Sequence, residues 1–112
     1  MTNEASIQET LKHCSQETID ACIAFHEKGD SSLVPAIVFG IIERFLDSDG
    51  REILSDRNNS TKLGEDLGMD SLDLIEVVMT IEQALQIKVE NESLKSFLTI
   101  GDIKSFIENY ER

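Results

Sequence analysis

The fold is decided by the stretch Asp70-Ser71-Leu72-Asp73, which runs directly into the apolar segment Leu74-Ile75-Glu76-Val77-Val78-Met79. Asp70 is predicted to cap a helix through its side-chain oxygen, so Ser71 becomes the first helical residue. Asp73 then lies in the first turn, where a carboxylate interacts favourably with unpaired backbone amides. The Ser71 hydroxyl is therefore expected to face solvent beside free N–H groups at the positive end of the helix dipole. Such a position is suited to an anionic group.

Ser71 is a better candidate for modification than for nucleophilic catalysis. Neither His13 nor His26 is close to it in the sequence, and no G-x-S-x-G motif surrounds it. A plain helix start is the alternative interpretation of the tetrapeptide, because aspartate and serine are common at helix caps. The surrounding residues decide between the two interpretations.

Several spaced motifs continue the pattern on both sides of Ser71. They are Leu63-x-x-Asp66-Leu67-Gly68-x-Asp70-Ser71-Leu72-Asp73, then Glu76-Val77-Val78-Met79, and finally Leu98-Thr99-Ile100-Gly101-Asp102-Ile103. With these motifs the chain resembles the acyl carrier protein family. The resemblance is strongest from about Leu63 to Tyr110 and extends to a helix predicted at 32–46, whereas residues 1–30 fall outside it.

The resemblance implies a cofactor and an attachment residue. In this family the serine of the motif carries 4′-phosphopantetheine, whose terminal thiol holds an acyl group as a thioester. On this chain the attachment position is Ser71. The group is supplied from coenzyme A by a phosphopantetheinyl transferase (holo-carrier synthase) that uses Mg²⁺, and Asp70 is the carboxylate nearest to that metal.

The composition favours an all-α protein. The 112 residues include one Pro and no Trp, and Leu, Ile, Glu and Lys are abundant. A chain of this length forms one small core with little room for a deep enzyme cleft, so we do not expect an enzyme. The resemblance implies a four-helix bundle of three long helices and one short helix. A further N-terminal helix divides the chain into a helical extension at 1–30 and an acyl carrier domain at 31–112.

Hydrophobic periodicity and capping signals place the individual helices. The predicted helices span 6–27, 32–46, 71–85, about 92–96 and about 100–110. Gly29 ends the first helix, Pro35 lies in the first turn of the second, and Thr99 caps the last with Asp102 in a capping-box position. The polar segment 47–62 is predicted to be one long surface loop, with Leu63 and Leu67 anchoring its end to the core.

The helix predicted at 71–85 has two distinct apolar faces. The inward face is predicted to consist of Leu74, Val77, Val78, Ile81 and Leu85, and the outward face contains Leu72, Glu76, Met79 and Gln83. Apolar residues bordered by acids suit a transient protein interface, although packing under a loop or under the N-terminal helix is the alternative. We predict partner binding by Leu72, Asp73, Glu76, Met79 and Glu82. We predict an acyl pocket near Ile75, Val78, Ile81, Phe97 and Ile100.

The charge indicates the type of partner. The formal net charge is −12, and residues 64–92 contain eight acids and one base. A concentrated negative field argues against nucleic acids and anionic membranes, and favours basic protein surfaces. Combined with the resemblance, the expected partners are the transferase and acyl ligases, ketosynthases or acyltransferases with basic docking surfaces. A solvated, solubilising face is the alternative interpretation, and the chain is predicted to be a monomer.

The cysteines and the hydropathy indicate the compartment. Cys14 and Cys22 are predicted to lie too far apart on one helix for a disulfide, so free thiols and a reducing compartment are expected. No apolar run approaches the length of a membrane span, and no secretory leader is evident, so we predict a cytoplasmic protein. Cys22 and His26 lie one turn apart and could share a metal with Cys14 or His13, but such pairs on an amphipathic helix are more often packing residues. The Asp47-Ser48-Asp49-Gly50 segment lacks the glycine and glutamate spacing of a calcium loop.

Two departures from the usual family pattern indicate a specialised carrier. Glu82-Gln83 stands where many members have two adjacent acids, and the N-terminal helix is absent from housekeeping members. The resemblance implies a role in fatty acid, specialised lipid or polyketide synthesis. The alternative function is a non-enzymatic acidic interaction module in which Ser71 is unmodified. A small hydrolase or transferase is not favoured, because no base lies near a nucleophile.

Overall fold

The structure is a computed structural model. It describes residues 4–56 and 58–110, with the side chains from residue 6 onward in those ranges. Within these ranges the chain forms seven α-helices, one short 3₁₀ helix and no strand, which confirms the all-α prediction. The helices are α1 Glu4–Thr10, α2 Gln16–Lys28, the 3₁₀ helix Ser31–Leu33, α3 Val34–Arg44, α4 Ser48–Leu54, α5 Ser71–Leu85, α6 Asn91–Leu94 and α7 Ile100–Glu108.

The N-terminal region contains two helices, so the prediction of one continuous helix at 6–27 is wrong. Ser15 caps α2, since its side chain accepts the Thr18 N–H at 3.3 Å, and the chain turns between α1 and α2. Leu11 lies in this turn and is buried. The helical spacing of apolar residues therefore continues through the turn, although the Ser15 cap starts a new helix after it. Gly29 ends α2 as predicted, in the left-handed conformation with φ 67°.

The segment 47–62 is not one long loop, because it contains α4. Asp47 caps this helix by accepting the Gly50 N–H at 2.9 Å. Leu54 is buried in the core, whereas Ile53 is exposed. The side chain of Leu46 packs within 3.1 Å of the position that a Cβ would occupy at Gly50. Tertiary packing of a short segment thus forms a helix that the polar sequence did not indicate.

The other helices agree with the sequence prediction. α3 begins within the predicted 32–46 segment, with Pro35 near its start, and α5 has the predicted bounds. α7 begins after Thr99 in a reciprocal capping box with Asp102. The short helix α6 lies slightly earlier than predicted.

One hydrophobic core joins the N-terminal helices to the rest of the chain. Ile7, Leu11 and Phe25 belong to the same buried cluster as the inward residues of α3, α5 and α7. α2 packs on α3 at Gly40, where an added Cβ would collide with the Thr18 side chain. Glycine is required there by this close approach. The division at residue 30 stays a prediction.

α1 and α2 also contact α5. The thiol of Cys22 donates to the Ala84 carbonyl at 3.3 Å, and His26 Nε2–H donates to the same oxygen at 2.5 Å. Two side chains, one turn apart on α2, thus bind one carbonyl near the end of α5. None of the helices within residues 4–56 and 58–110 combines the length and the apolar character of a membrane span.

Candidate functional site

Ser71 is held at the first position of α5 by a reciprocal cap. The Asp73 N–H donates to Asp70 Oδ1 at 2.8 Å, and the Asp70 N–H donates to Asp73 Oδ2 at 3.2 Å. Asp70 has extended backbone angles and its carbonyl accepts the Leu74 N–H at 3.0 Å. The predicted helix start is therefore confirmed, and both carboxylates fix it.

The loop before α5 is anchored on both sides of Gly68. Leu63, Leu67 and Met69 are buried, which confirms the predicted anchors and adds Met69. Gly68 has φ 71°, a left-handed conformation that glycine adopts without strain. The Met69 N–H donates to the Leu63 carbonyl at 3.1 Å. These contacts define the position from which α5 starts.

The environment of Ser71 fits a phosphodiester. The residue is exposed, and no hydrogen bond of its hydroxyl to another described residue is present. The cap uses the Asp73 N–H, so the amides of Ser71 and Leu72 at the first two helical positions are left for another acceptor. Free amides and the helix dipole favour a negative group at this point.

The outward face of α5 presents an apolar surface next to Ser71. Leu72 is 63% exposed, Ile75 42% and Met79 50%, and Glu76 and Gln83 are also exposed. Because residues three, four and seven positions apart share a helix face, these side chains form one stripe. We call Leu72, Ile75 and Met79 the outer stripe.

A family model described as "Phosphopantetheine attachment site" matches residues 37–107. The acyl carrier protein of Prochlorococcus marinus (strain MIT 9515) is 38% identical over 71 residues, which cover 63% of this chain and 84% of the relative. The chain belongs to the acyl carrier protein family.

Two further relatives match shorter regions. The acyl carrier protein of Sulfurovum sp. (strain NBC37-1) is 43% identical over 49 residues, which cover 44% of this chain and 65% of the relative. The acyl carrier protein of Thermotoga maritima is 49% identical over 47 residues, which cover 42% and 58% respectively. The matched regions thus span less than two thirds of these two relatives. Comparison with solved structures found no match.

Membership of the acyl carrier protein family gives the chain its general role. It is a phosphopantetheine carrier and not an enzyme, and its cofactor is a covalently attached 4′-phosphopantetheine. A carrier of this type interacts with a phosphopantetheinyl transferase and with biosynthetic enzymes.

The acidic residues predicted to bind partners have different local environments in this carrier. Glu76 is exposed on α5, and Asp73 is partly exposed while serving the cap. Glu82 is half-buried, and its carboxylate accepts the Val89 N–H at 2.8 Å. Its hydrogen bond connects the end of α5 to the following segment. Sequence reasoning missed this bond, because it depends on the chain reversing at Gln86, whose φ is 57°.

The residues predicted to line an acyl pocket are not all equivalent. Val78, Ile81, Phe97 and Ile100 are buried in the common core, whereas Ile75 lies at the surface. The Phe97 ring packs edge-on against Phe106 with centroids 5.5 Å apart. The pocket therefore stays a prediction, with Ile75 at its outer edge.

The two thiols of this carrier are less acidic than a free cysteine, because both have a raised pKa. Burial, together with a smaller contribution from the neighbouring Cys14 thiol, raises the pKa of Cys22 to about 12. Burial also raises the pKa of Cys14, although Arg44 opposes this shift. A protonated thiol is a poor nucleophile. Both cysteines are free, and no cluster of three metal-ligating side chains occurs among residues 4–56 and 58–110.

Proposed function

We propose that Ser71 is the attachment site of 4′-phosphopantetheine and that the chain presents acyl thioesters on this arm to biosynthetic enzymes. The observation that carries the proposal is the exposed Ser71 residue at the first position of α5, inside the Asp70 and Asp73 cap. A flexible arm attached there extends into solvent, where a partner enzyme can reach its thiol.

The attachment step is a transfer of one phosphoryl-linked group. Ser71 Oγ bonds to the phosphorus that carries pantetheine in coenzyme A, and the pyrophosphate P–O bond to the nucleotide breaks. The nucleotide portion leaves with the second phosphate, and the hydroxyl proton passes to solvent or to a base of the transferase. The transferase supplies Mg²⁺. Asp70 supports this step, because one of its oxygens holds the cap and its carboxylate is adjacent to Ser71 in the sequence.

The outer stripe and its acids form the proposed docking surface for partner enzymes. Leu72 and Met79 offer apolar contacts, while Asp73 and Glu76 offer negative charge. Together with the net charge of −12, this surface favours basic docking sites on acyl ligases, ketosynthases or acyltransferases. Glu82 contributes charge at the edge of the surface while it holds Val89.

A simple alkyl cargo is proposed to enter the core beside Ile75, toward Val78, Ile81, Phe97 and Ile100. Each methylene removed from water contributes about 0.8 kcal/mol, so a medium alkyl chain is held against water and released to an enzyme that binds it more tightly. Entry requires α5 to move away from the segment around Phe97, because these side chains are buried.

The proposed setting is fatty acid, specialised lipid or polyketide synthesis in the cytoplasm, with the chain acting as a monomer. Support for a specialised carrier comes from the two N-terminal helices, which lie outside the matched region 37–107. Further support comes from Gln83 on α5, which stands where many members of the family have an acid. Support for a reducing compartment comes from the two free cysteines.

The test is enzymatic loading followed by intact mass measurement. The purified chain is incubated with coenzyme A, Mg²⁺ and a broad-specificity phosphopantetheinyl transferase, and the mass is expected to rise by one phosphopantetheinyl group. Ser71→Ala is expected to abolish the increase. Ser48→Ala is the matched control, because Ser48 is also exposed at the first position of a capped helix. An unchanged wild-type mass refutes the proposal and favours an unmodified interaction module.

A further inference from the structure

A groove of about 260 Å³ lies between the end of α3 and the outer face of α5. It is lined by Arg44, Phe45, Glu76, Met79, Thr80 and Gln83. The groove thus combines an aromatic ring and a thioether with a guanidinium, an amide and one carboxylate. These groups suit a short carbon chain with a polar end, rather than a long alkyl chain.

Arg44 is the positively charged residue of this groove, and its guanidinium is held over the Phe45 ring. Its guanidinium carbon lies 4.6 Å from the centroid of the Phe45 ring, and the side chain is partly buried. Within the described residues the ion pairs join Lys12 to Glu9 and Lys62 to Glu65. Arg44 takes part in neither ion pair, so its donors are available for an anionic ligand.

The groove lies along the helix that begins at Ser71. Thr80 follows Ser71 by nine positions, which corresponds to about 13.5 Å along an α-helix at a rise of 1.5 Å per residue. The exposed side chains of Leu72 and Met79 cover the surface between the two points. A group attached to Ser71 is therefore delivered to the groove at a high effective concentration, because it is tethered to the same molecule.

We propose that this groove binds an acyl group with a terminal carboxylate, carried on the arm of the same chain. Arg44 pairs with the carboxylate, the Gln83 amide donates to it, and Phe45 and Met79 contact the methylenes. Glu76 lines the α5 side of the groove and repels the carboxylate toward Arg44. The inference rests on the proposed attachment at Ser71, and it adds carboxylate-ended acyl groups as a second class of cargo beside simple alkyl chains.

The hydrophobic core does not suit this cargo. Transfer of an ionised carboxylate into an apolar interior carries a large free-energy penalty unless it is paired. The side chains of Val78, Ile81 and Ile100 offer no such partner, and all three are buried. A surface groove with a guanidinium allows the carboxylate to stay hydrated on one side while it pairs on the other.

The test compares two cargoes that differ only at their ends. Ser71 is loaded with glutaryl-pantetheine phosphate or pentanoyl-pantetheine phosphate from the corresponding coenzyme A thioesters, and intact mass measures the loading. NMR then follows the side-chain signals of Arg44 Nε, the Gln83 amide and the Met79 methyl group. We expect the glutaryl group to shift all three signals relative to the pentanoyl group.

Arg44→Gln removes the guanidinium and is expected to abolish the Gln83 and Met79 shifts that are specific to the glutaryl cargo. Lys95→Gln is the matched control, because it removes one positive charge at an exposed residue outside the groove and is expected to keep those shifts. Circular dichroism checks that both variants fold.

The outcomes separate the inference from the proposed function. Equal signals with the two cargoes, or glutaryl-specific shifts that persist in Arg44→Gln, overturn the groove assignment while the loaded mass still supports attachment at Ser71. Absence of any adduct overturns attachment at Ser71, and the groove assignment then fails with it, because the cargo has no tether.

Discussion

The contribution of the N-terminal helices to stability can be measured at Leu11. This side chain is 0% exposed, lies in the turn between α1 and α2, and belongs to the common core. Leu11→Ala removes a buried isobutyl group and leaves a cavity among residues of the helical bundle. Such substitutions reduce the free energy of unfolding by about 2–5 kcal/mol. We expect a loss in the middle of this range, since no part of Leu11 contacts solvent.

Leu72→Ala is the matched control, because it deletes the same atoms from a side chain that is 63% exposed. A surface substitution of this type changes the free energy of unfolding by at most about 0.5 kcal/mol. Both variants are unfolded in urea and followed by far-ultraviolet circular dichroism. A lower midpoint with an unchanged slope identifies a true loss of stability for Leu11→Ala.

The reasoning about the common core is refuted if Leu11→Ala costs no more than Leu72→Ala. In that case residues 4–28 would not be packed against the carrier region as described. A single cooperative transition is expected for the wild-type chain, because one core spans both parts.

Three further predictions use other features of the fold. Gly40→Ala is expected to reduce stability by about 1–2 kcal/mol in urea unfolding, because the added Cβ collides with α2 and this overpacking outweighs the gain in helix propensity; an unchanged midpoint contradicts the close helix contact. With iodoacetamide at mildly alkaline pH, the buried Cys22, whose pKa is about 12, is expected to react more slowly than the partly exposed Cys14. Peptide mass mapping measures both alkylation rates. Equal rates would show that Cys22 is accessible. The backbone hydrogen bond from Thr99 lowers the pKa of Asp102, so this carboxylate stabilises the fold above its unfolded-state pKa and loses that effect as pH falls through its folded-state pKa. In urea unfolding, Asp102→Asn is thus expected to have a lower midpoint than the wild type at neutral pH and a similar midpoint in acid. A difference that does not change with pH would contradict this role.

Local signals were sufficient for the start of α5 and for the candidate attachment residue. An N-cap and the residue three positions later interact with each other, so Asp70 and Asp73 specify the helix start without help from distant residues. The exposure of Leu72 and Met79 also follows from helical periodicity. These predictions depended on contacts within one turn or one helix face.

Non-local packing explains what the sequence did not predict. The apolar spacing around Leu11 is the same for a helix and for the observed turn, so periodicity alone could not reveal the break before Ser15. α4 is stabilised by burial of Leu54 rather than by a periodic apolar face. The groove depends on α3 and α5 placing Arg44 and Thr80 around one opening. No single-sequence pattern reports such an arrangement.

The shared carbonyl of Ala84 ties the assembly of the molecule to the order of its synthesis. Cys22 and His26 emerge from the ribosome well before this acceptor, from which they are separated by 62 and 58 positions. Domains with such distant pairings complete their packing late, after the intervening loop has closed. The link between α2 and α5 therefore forms only after Ala84 has been synthesised, so a shorter nascent chain lacks this connection between its N-terminal helices and the serine-bearing helix.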